Sequence, residues 1–320
     1  LYSIDMDTAK MAIQALPTLI NDTTITLGLK TTRTGEAEFH FSQNSNFNNG
    51  TKLIFRDNHT ADEIQIEDNV QFTAQYESGE HNDRFEVKFV TPHIFTGDQS
   101  SDWHNSQNWN KGIPQTGNNT FIPDDKTVNI SQNAFCNDLI LAAGAELDIK
   151  QDDTISVNQL ILNISDNKAA SIINHGKVMT AEQVFVKKHL KSGRLYFISI
   201  PISNADNPFL DNPNEIQLYN YSEAAKSYSW LANWSDYQES KFKNGKGYLI
   251  KSSKDTCIEI SGRELNSGEI KVEIVYEDTK TSADAWSFVG NPYSSPISIE
   301  KFLFHNKDVI NESISLAINN

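Results

Sequence analysis

The first 91 residues break into short runs in which apolar and polar side chains alternate. This period of two is typical of strands with one buried face and one solvated face. In Arg84–Phe89, for example, Phe85, Val87 and Phe89 fall on the same face. The gaps between runs leave no room for crossover helices, so the pattern predicts an antiparallel, immunoglobulin-like β-sandwich over residues 1–91. The predicted strands are Thr24–Lys30, Glu36–Phe41, Thr51–Asp57, Val70–Tyr76 and Arg84–Phe89.

A polar tetrad, His81–Arg84, lies between Gly79 and the last of these strands. A histidine close to an aspartate can share a proton in a catalytic site. The glycine before the tetrad and the alternating run that begins at its end favour a hairpin turn instead. We therefore expect Arg84 to pair with a neighbouring carboxylate and to take no part in catalysis.

The pattern changes after residue 91. Residues 92–101 carry Pro92, Gly97 and two serines, which predicts a linker. Residues 102–190 then hold pairs of apolar residues separated by small polar turns. These pairs predict the rungs of a parallel β-solenoid, and their irregular spacing leaves an ordinary meander as the alternative. The pairs are Val128/Ile130, Leu139/Leu141, Leu147/Ile149, Ile155/Val157, Leu160/Leu162, Ile172/Ile173 and Val184/Val186.

Residues 191–320 again show strand periodicity and predict a C-terminal β-sandwich or jelly-roll-like module. The strand-like alternation of Ser313–Ile318 stops with the chain, and the chain starts at Leu1 without an initiator Met. We therefore expect a piece of a longer protein, truncated within this module. One short helix is predicted at Ser298–Phe304, with Ser298 as its N-cap. The predicted strands are Arg194–Ile200, Glu215–Tyr221, Gly247–Lys251, Cys257–Ser261, Glu269–Val275 and Trp286–Gly290.

The chain is acidic, because 27 Lys and Arg stand against 42 Asp and Glu and give a net charge of −15. This charge repels phosphate backbones and anionic lipids, so nucleic acids and membrane surfaces are poor partners. No apolar run approaches the roughly 20 residues that span a bilayer, so direct membrane insertion is not expected.

Sequence motifs for catalysis and for metal or nucleotide binding are absent, including Walker A, GxGxxG, HExxH, GxSxG and EF-hand patterns. The nearest approach to a calcium site is the stretch DQSSD, in which Asp98 and Asp102 offer carboxylate oxygens. An EF-hand requires Gly next, where this chain has Trp103, so a solvated linker without a metal or other cofactor is favoured. Cys136 and Cys257 lack metal or redox spacing, and we favour two separate buried thiols over a disulfide.

Aromatic residues are concentrated in and after the predicted strand that ends at Tyr221. Tyr219 and Tyr221 share one face of that strand, and Trp230 and Trp234 follow. Exposed aromatic rings stack well on sugar rings, so these four side chains are a candidate carbohydrate-binding site. The competing interpretation, which we favour, is that they pack in the core of the sheet, because large exposed apolar patches are uncommon.

Seven short segments, spread over nearly all of the chain, carry signatures beyond strand periodicity. They are DRFEVKF (83–89), WHNSQNW (103–109), GIP (112–114), TVNI (127–130), LYNYSEA (218–224), GKGYLI (245–250) and WSFVGNPY (286–293). Together they resemble large secreted and surface proteins of the Bacteroidetes. In those proteins a module with W-x-x-x-x-N-W, G-x-P and V-x-I motifs is commonly followed by a second module, and a sandwich ending in D-R-F recurs.

The resemblance implies export, through the type IX secretion pathway, into multidomain adhesin-like or envelope-associated proteins. It brings no catalytic residues. We therefore expect a non-catalytic stalk or adhesin-like scaffold of a larger secreted or cell-surface bacterial protein, not an enzyme, with a protein or a glycan at the cell surface as its partner. The alternative is a carbohydrate-binding region of a secreted polysaccharide-active enzyme, and it rests on the four aromatic residues.

Two of the signatures also suggest structural roles. We expect Trp103 and Trp109 to cap the first rung of the solenoid, because an uncovered end would expose apolar surface. Gly290 and Asn291 tolerate positive φ, and Pro292 keeps Asn291 out of the helical region, so a tight turn is expected there.

Overall fold

The structure is a computed structural model that describes residues 1–320 except 5–8, 14, 42–46, 48–49, 68, 222–233, 275–286, 311–313 and 315–320. Strands hold 48% of the residues and helices 4%, so the chain is all-β, as predicted. An antiparallel sandwich is followed by a parallel β-solenoid of about 4 turns and then by a further antiparallel sheet.

The N-terminal sandwich contains a six-stranded sheet and a two-stranded sheet, and the strand pairs described in it are antiparallel. Phenylalanine rings from both sheets form its core. The ring centre of Phe39 lies 4.8 Å from that of Phe55 and 4.8 Å from that of Phe85. The strands are β1 (Tyr2–Ile4), β2 (Lys10–Met11), β3 (Thr23–Thr31), β4 (Gly35–His40), β5 (Lys52–Asp57), β6 (Glu63–Gln65), β7 (Gln71–Tyr76) and β8 (Gly79–Val90), in the orders β2-β1-β3-β8-β5-β6 and β4-β7.

The tetrad His81–Arg84 belongs to β8, so the predicted hairpin turn is wrong. β8 pairs with β3 as far as Gly79, opposite Thr31; within the tetrad, His81 pairs with Leu29, and Asn82–Arg84 lie at a register shift between that pair and the pair of Leu27 with Phe85. The expected partner of Arg84 is confirmed: its guanidinium donates to the Asp57 carboxylate at 2.7 and 3.0 Å, and the two side chains are 9% and 1% exposed. Burial raises the pKa of Asp57, but the bonds and charge of Arg84 outweigh burial and hold the pKa below its usual value.

The middle module is a parallel solenoid, and the alternative of a meander is wrong. The register series Thr120, Leu139, Leu160, Val184 has steps of 19, 21 and 24 residues, which explains why no fixed repeat is visible in the sequence. The strands are β9 (His93–Ile94), β10 (Thr120–Ile122), β11 (Thr127–Ile130), β12 (Ala134–Phe135), β13 (Asp138–Leu141), β14 (Glu146–Ile149), β15 (Thr154–Ile164), β16 (Ser171–Asn174) and β17 (Lys177–Leu190). One sheet runs β9-β10-β13-β15-β17, with β12 beside β15, and the other runs β11-β14-β16.

The start of the solenoid lies within residues 92–101, the segment predicted as a linker. His93–Ile94 pairs in parallel with β10. Phe95 is buried in the solenoid core, and its amide donates to the carbonyl of Phe121 at 3.0 Å. His93, Ile94 and Phe95 therefore form part of the first rung.

The C-terminal module is attached to the solenoid in two ways. β22 (Thr256–Gly262) pairs antiparallel with β17 and so extends the solenoid sheet. The antiparallel sheet β18-β21-β19-β20 turns one face into the same hydrophobic core, which runs from Phe95 to Ile260. Its strands are β18 (Leu195–Ile198), β19 (Ile216–Tyr221), β20 (Trp234–Asp236) and β21 (Tyr248–Ser252).

The predicted helix is confirmed as α1 (Ile299–His305), and the Ser298 hydroxyl caps it by accepting from the Lys301 amide at 3.3 Å. The described part of Glu269–Val275 is irregular, so that strand prediction is wrong; a positive φ of 68° at Gly268 turns the chain just before it. Within Trp286–Gly290, the described residues form one isolated bridge, between Val289 and Lys246. No helix in the described chain is long and apolar enough to cross a bilayer.

Polar contacts join the sandwich to the solenoid at Asp22. Its carboxylate accepts from the Thr91 amide at 2.8 Å and from Lys111 Nζ at 2.6 Å. Lys111 Nζ also donates to the Thr91 carbonyl at 2.6 Å. Thr91 directly follows β8 and Lys111 lies between the first two solenoid strands, so this group, here called the Asp22 bridge, links the two modules.

Replacing Arg84 with alanine is expected to lower the free energy of unfolding of the N-terminal sandwich by about 3–5 kcal/mol, because the buried Asp57 charge loses its partner. Arg56→Ala is the matched control. Its ion pair with Glu63 is 41% and 50% exposed, and pairs of this kind contribute less than about 1 kcal/mol. Urea unfolding measures the loss of stability in both variants. Equal losses would contradict the conclusion that the Arg84–Asp57 pair is a buried ion pair that stabilises the sandwich.

Candidate functional site

Aromatic side chains gather on one face of the C-terminal sheet. The register places Phe197, Leu249, Tyr219 and Asp236 in one row across the four strands, and Tyr221 pairs with Trp234 beside that row. Residues two positions apart on a strand share a face, so these side chains project from the same side of the sheet. The ring of Phe288 packs on this side against Phe197 and Trp234. The aromatic face is defined here as Phe197, Tyr219, Tyr221, Trp234 and Phe288.

Trp234 packs edge-to-face against two other rings of the aromatic face. The Trp234 ring centre lies 5.5 Å from that of Tyr221 at 73° and 5.1 Å from that of Phe288 at 72°. Tyr221 is buried, whereas Tyr219 and Trp234 are half-buried. Sugar rings stack on exposed flat faces, so Tyr219 and Trp234 are the predicted binding residues that keep some accessible surface. Trp230, the fourth predicted residue, lies outside the described residues.

Sequence reasoning placed Tyr219 and Tyr221 together but missed Phe197 and Phe288. Strand alternation could have placed Phe197 on this face. Its neighbour in β18, Tyr196, is fully buried in the core, so Phe197 must face the other side of the sheet. Phe288 follows no strand period in the described chain, so periodicity could not have placed it.

A cavity of about 80 Å³ lies at the edge of the same sheet, and Tyr219 is not one of its lining residues. The register pairs Tyr219 with Asp236, one of its lining residues. Burial, and after it the Asp236 carboxylate, raises the pKa of Tyr219, so its hydroxyl stays protonated at neutral pH. The cavity is smaller than the roughly 300–1,000 Å³ of drug-sized pockets. Its lining consists of Asn207, Phe209, Leu210, Pro213, Ile216, Gln217, Leu218, Asp236, Tyr237 and Gln238.

The two weak calcium candidates lie in the first turn of the solenoid. Asp102 Oδ1 accepts from the His104 amide at 3.0 Å and lies 3.8 Å from His104 Nδ1, so this carboxylate bonds within its own turn. Asp98 is exposed. Within the described ranges, no three His, Cys, Asp or Glu side chains are grouped in a way that could hold a metal ion.

Both cysteines are free thiols, and they differ in exposure. Cys136 is buried as expected, and burial raises its pKa to about 12. Cys257 is exposed, so the expectation of a buried thiol is wrong there. Alternation in β22 turns Ile258 and Ile260 into the core and leaves Cys257 on the opposite face.

The W-x-x-x-x-N-W segment covers the first rung of the solenoid, as expected. Trp103 and Trp109 are buried, with ring centres 4.8 Å apart and planes at 72°. The Trp109 indole N–H donates to the Trp103 carbonyl at 2.8 Å. The Trp103 amide donates to Asn129, so this backbone extends the sheet that continues with β11.

Asn108, next to Trp109, is 0% exposed and holds this cap together. Its Oδ1 accepts from the amides of Gln99 and Ser100 at 3.0 and 2.9 Å. Its Nδ2 donates to Ser100 Oγ at 2.9 Å and to the Asp102 carbonyl at 2.8 Å. The side-chain amide therefore satisfies loop groups that would otherwise be buried without a partner.

In the segment Gly290–Tyr293, the glycine is required because Ser199 packs closely against its Cα, and not because the backbone has a positive φ. Neither Gly290 nor Asn291 has a positive φ, so the expected reason for these residues is wrong. A Cβ on Gly290 would lie 2.4 Å from Ser199 Cβ, closer than atoms approach. Asn291 Oδ1 accepts from the Tyr293 amide at 3.0 Å, which makes the turn.

Asn108→Ala is expected to reduce the free energy of unfolding by about 2 kcal/mol, because the part-buried amides of Gln99 and Ser100 lose their acceptor. Asn105→Ala is the control. Its Oδ1 caps the adjacent 3₁₀ turn by accepting from Gln107, and removing such a cap costs about 1 kcal/mol. Thermal unfolding of the two variants measures the difference; a loss for Asn108→Ala no larger than for Asn105→Ala would contradict the role assigned to Asn108.

Comparisons with known proteins place the chain in one family. The family model described as Domain of unknown function (DUF8693) matches residues 94–319. The matched range begins in β9 and includes both the solenoid and the C-terminal module, which share one core. No curated protein and no solved structure matches the chain. The chain belongs to the DUF8693 family.

Proposed function

We propose that the chain is a non-catalytic stalk or adhesin-like scaffold within a larger bacterial protein that is secreted, through the type IX pathway, to the cell surface. The observation that carries this proposal is the core shared by the solenoid and the C-terminal sheet. Modules with separate cores move relative to one another by default. A shared core removes that freedom, and a stalk needs this stiffness. The export route and surface location rest on the sequence signatures.

The Asp22 bridge supports the stalk role at the junction between the N-terminal sandwich and the solenoid. The N-terminal sandwich has its own core of phenylalanine rings, which is separate from the solenoid core among the described residues. Hydrogen bonds tie the two modules: Asp22, Thr91 and Lys111 form three of 2.6 to 2.8 Å, and the Asn110 side-chain amide donates to the Ile20 carbonyl. Burial raises the pKa of Asp22, but bonds from Lys111 and Thr91 outweigh burial and keep the pKa low, so the charged bond persists at neutral pH.

Small-angle X-ray scattering of the whole chain tests the stalk. The wild-type curve is expected to fit one fixed arrangement of the sandwich on the solenoid. Asp22→Ala is expected to require a distribution of arrangements, because it removes the carboxylate that Thr91 and Lys111 share. Lys271→Ala, which removes an ion pair whose side chains are 87% and 81% exposed, is the control and should match the wild type. A wild-type curve that itself requires a distribution would contradict the proposal.

Carbohydrate binding is the second candidate function, and the cavity that Asp236, the cross-strand partner of Tyr219, helps to line favours it. Gln217, Asp236 and Gln238 bring two amides and a carboxylate to its wall, and such groups bind sugar hydroxyls. Tyr219 and Trp234 supply half-buried rings on the adjoining face. A ring next to planar polar groups is the combination that neutral sugars fit.

Affinity electrophoresis against a panel of neutral polysaccharides decides between the two functions. The carbohydrate function predicts that at least one polysaccharide retards the chain and that Tyr219→Ala and Asp236→Ala abolish the retardation. Tyr293→Ala is the control, because Tyr293 is half-buried and lies outside the cavity and the aromatic face. Unchanged mobility with every polysaccharide would contradict the carbohydrate function and leave the scaffold as the remaining proposal.

A further inference from the structure

Lys188 occupies a position where the strand pattern calls for an apolar residue. It lies on the inward side of β17, between Val186 and Leu190, and is 5% exposed. Lysine is almost never buried to this degree without a partner. Its Nζ donates to the Ser165 carbonyl at 3.1 Å and lies 4.8 Å from the ring centre of Tyr196. One of its three N–H donors is thus accounted for by a protein carbonyl.

A second cation, Arg194, sits on the same tyrosine ring, with its guanidinium carbon 5.0 Å from the ring centre. Arg194 Nη1 donates to Asp166 Oδ2 at 3.1 Å. Arg194 Nε is buried and has no hydrogen-bond partner among the described residues. A buried donor without a partner points to a group that belongs at that position, such as water or an ion.

Positive charge is in excess around this ring. Lys191, which is 61% exposed, brings its Nζ to 3.6 Å from Asp166 Oδ2. Three cations therefore face one carboxylate, in a chain whose net charge is −15. The nearby Asp255 carboxylate accepts from the Ser192 amide at 2.7 Å.

We propose that Lys188, Lys191 and Arg194 form a binding site for an oxyanion: a carboxylate, sulfate or phosphate group, either free or carried by an acidic glycan. The guanidinium edge of Nε and Nη2 is a planar fork that matches two oxygens of such a group. The ammonium of Lys188 supplies further donors from within the core, and Lys191 supplies charge from the surface. The alternative is that the cations only bond the carbonyl and carboxylate at the end of the solenoid, and in that case the chain binds no oxyanion there.

Isothermal titration of the full chain with sodium sulfate and with sodium phosphate, at constant ionic strength, tests the site. The wild type is expected to show saturable binding. Arg194→Gln and Lys188→Met are expected to weaken it at least about tenfold, because each removes charge-assisted hydrogen bonds. Methionine fills an inward position well, so Lys188→Met should stay folded. If either variant unfolds, as circular dichroism would show, the other decides the outcome.

Lys243→Gln is the matched control, because Lys243 pairs with Glu239 on the surface and its side chain is 56% exposed. It should bind as the wild type does. A sulfated or uronate oligosaccharide that binds more tightly than free sulfate, and loses this advantage in Arg194→Gln, would identify a glycan as the source; equal affinities would identify the free ion. No saturable heat with any of these anions, or the same loss in Lys243→Gln, would overturn the proposal.

Discussion

The structure depends on covering the two ends of a parallel β-stack. Each inner rung of the solenoid has its backbone groups paired and its apolar side chains packed by rungs on both sides, whereas the terminal rungs lack one neighbour. At the first end, Trp103 and Trp109 supply the missing apolar surface, and Asn108 bonds the loop backbone that carries them. The residues that close this end lie close together in sequence, so their signature is compact and readable.

The second end is closed by residues distant in sequence. β22 pairs with β17, and β18 to β21 lie between them along the chain. The pairing of β22 with β17 therefore brings the connecting sheet to the end of the stack, where it shares the core of the solenoid. The shared core accounts for a family match that takes in both modules and begins at the first rung.

Sequence reasoning succeeded where a residue's position follows from its near neighbours. Strand alternation identified β3, β5 and β19 within a residue or two, and the Ser298 cap located α1. It failed where the conformation or position of a residue depends on a partner that is distant in the sequence. The tetrad His81–Arg84 looks like a turn by composition, yet it lies within β8, where a register shift opposite Gly28 takes up its extra residues. Phe288 is placed by contacts made far along the chain, and no local period encodes its position.

The end of the stack also explains why a lysine occurs in the core. Ile164 and Lys188 are the last register pair between β15 and β17, and beyond it β15 ends. The inward-pointing side chain of Lys188 therefore reaches the carbonyl of Ser165 instead of another apolar side chain. This position borders the apolar core on one side and a backbone carbonyl on the other. A lysine suits it, since its methylenes pack against the core while its ammonium reaches the carbonyl. Chemical groups that the flat rungs exclude are thus tolerated where the rungs stop.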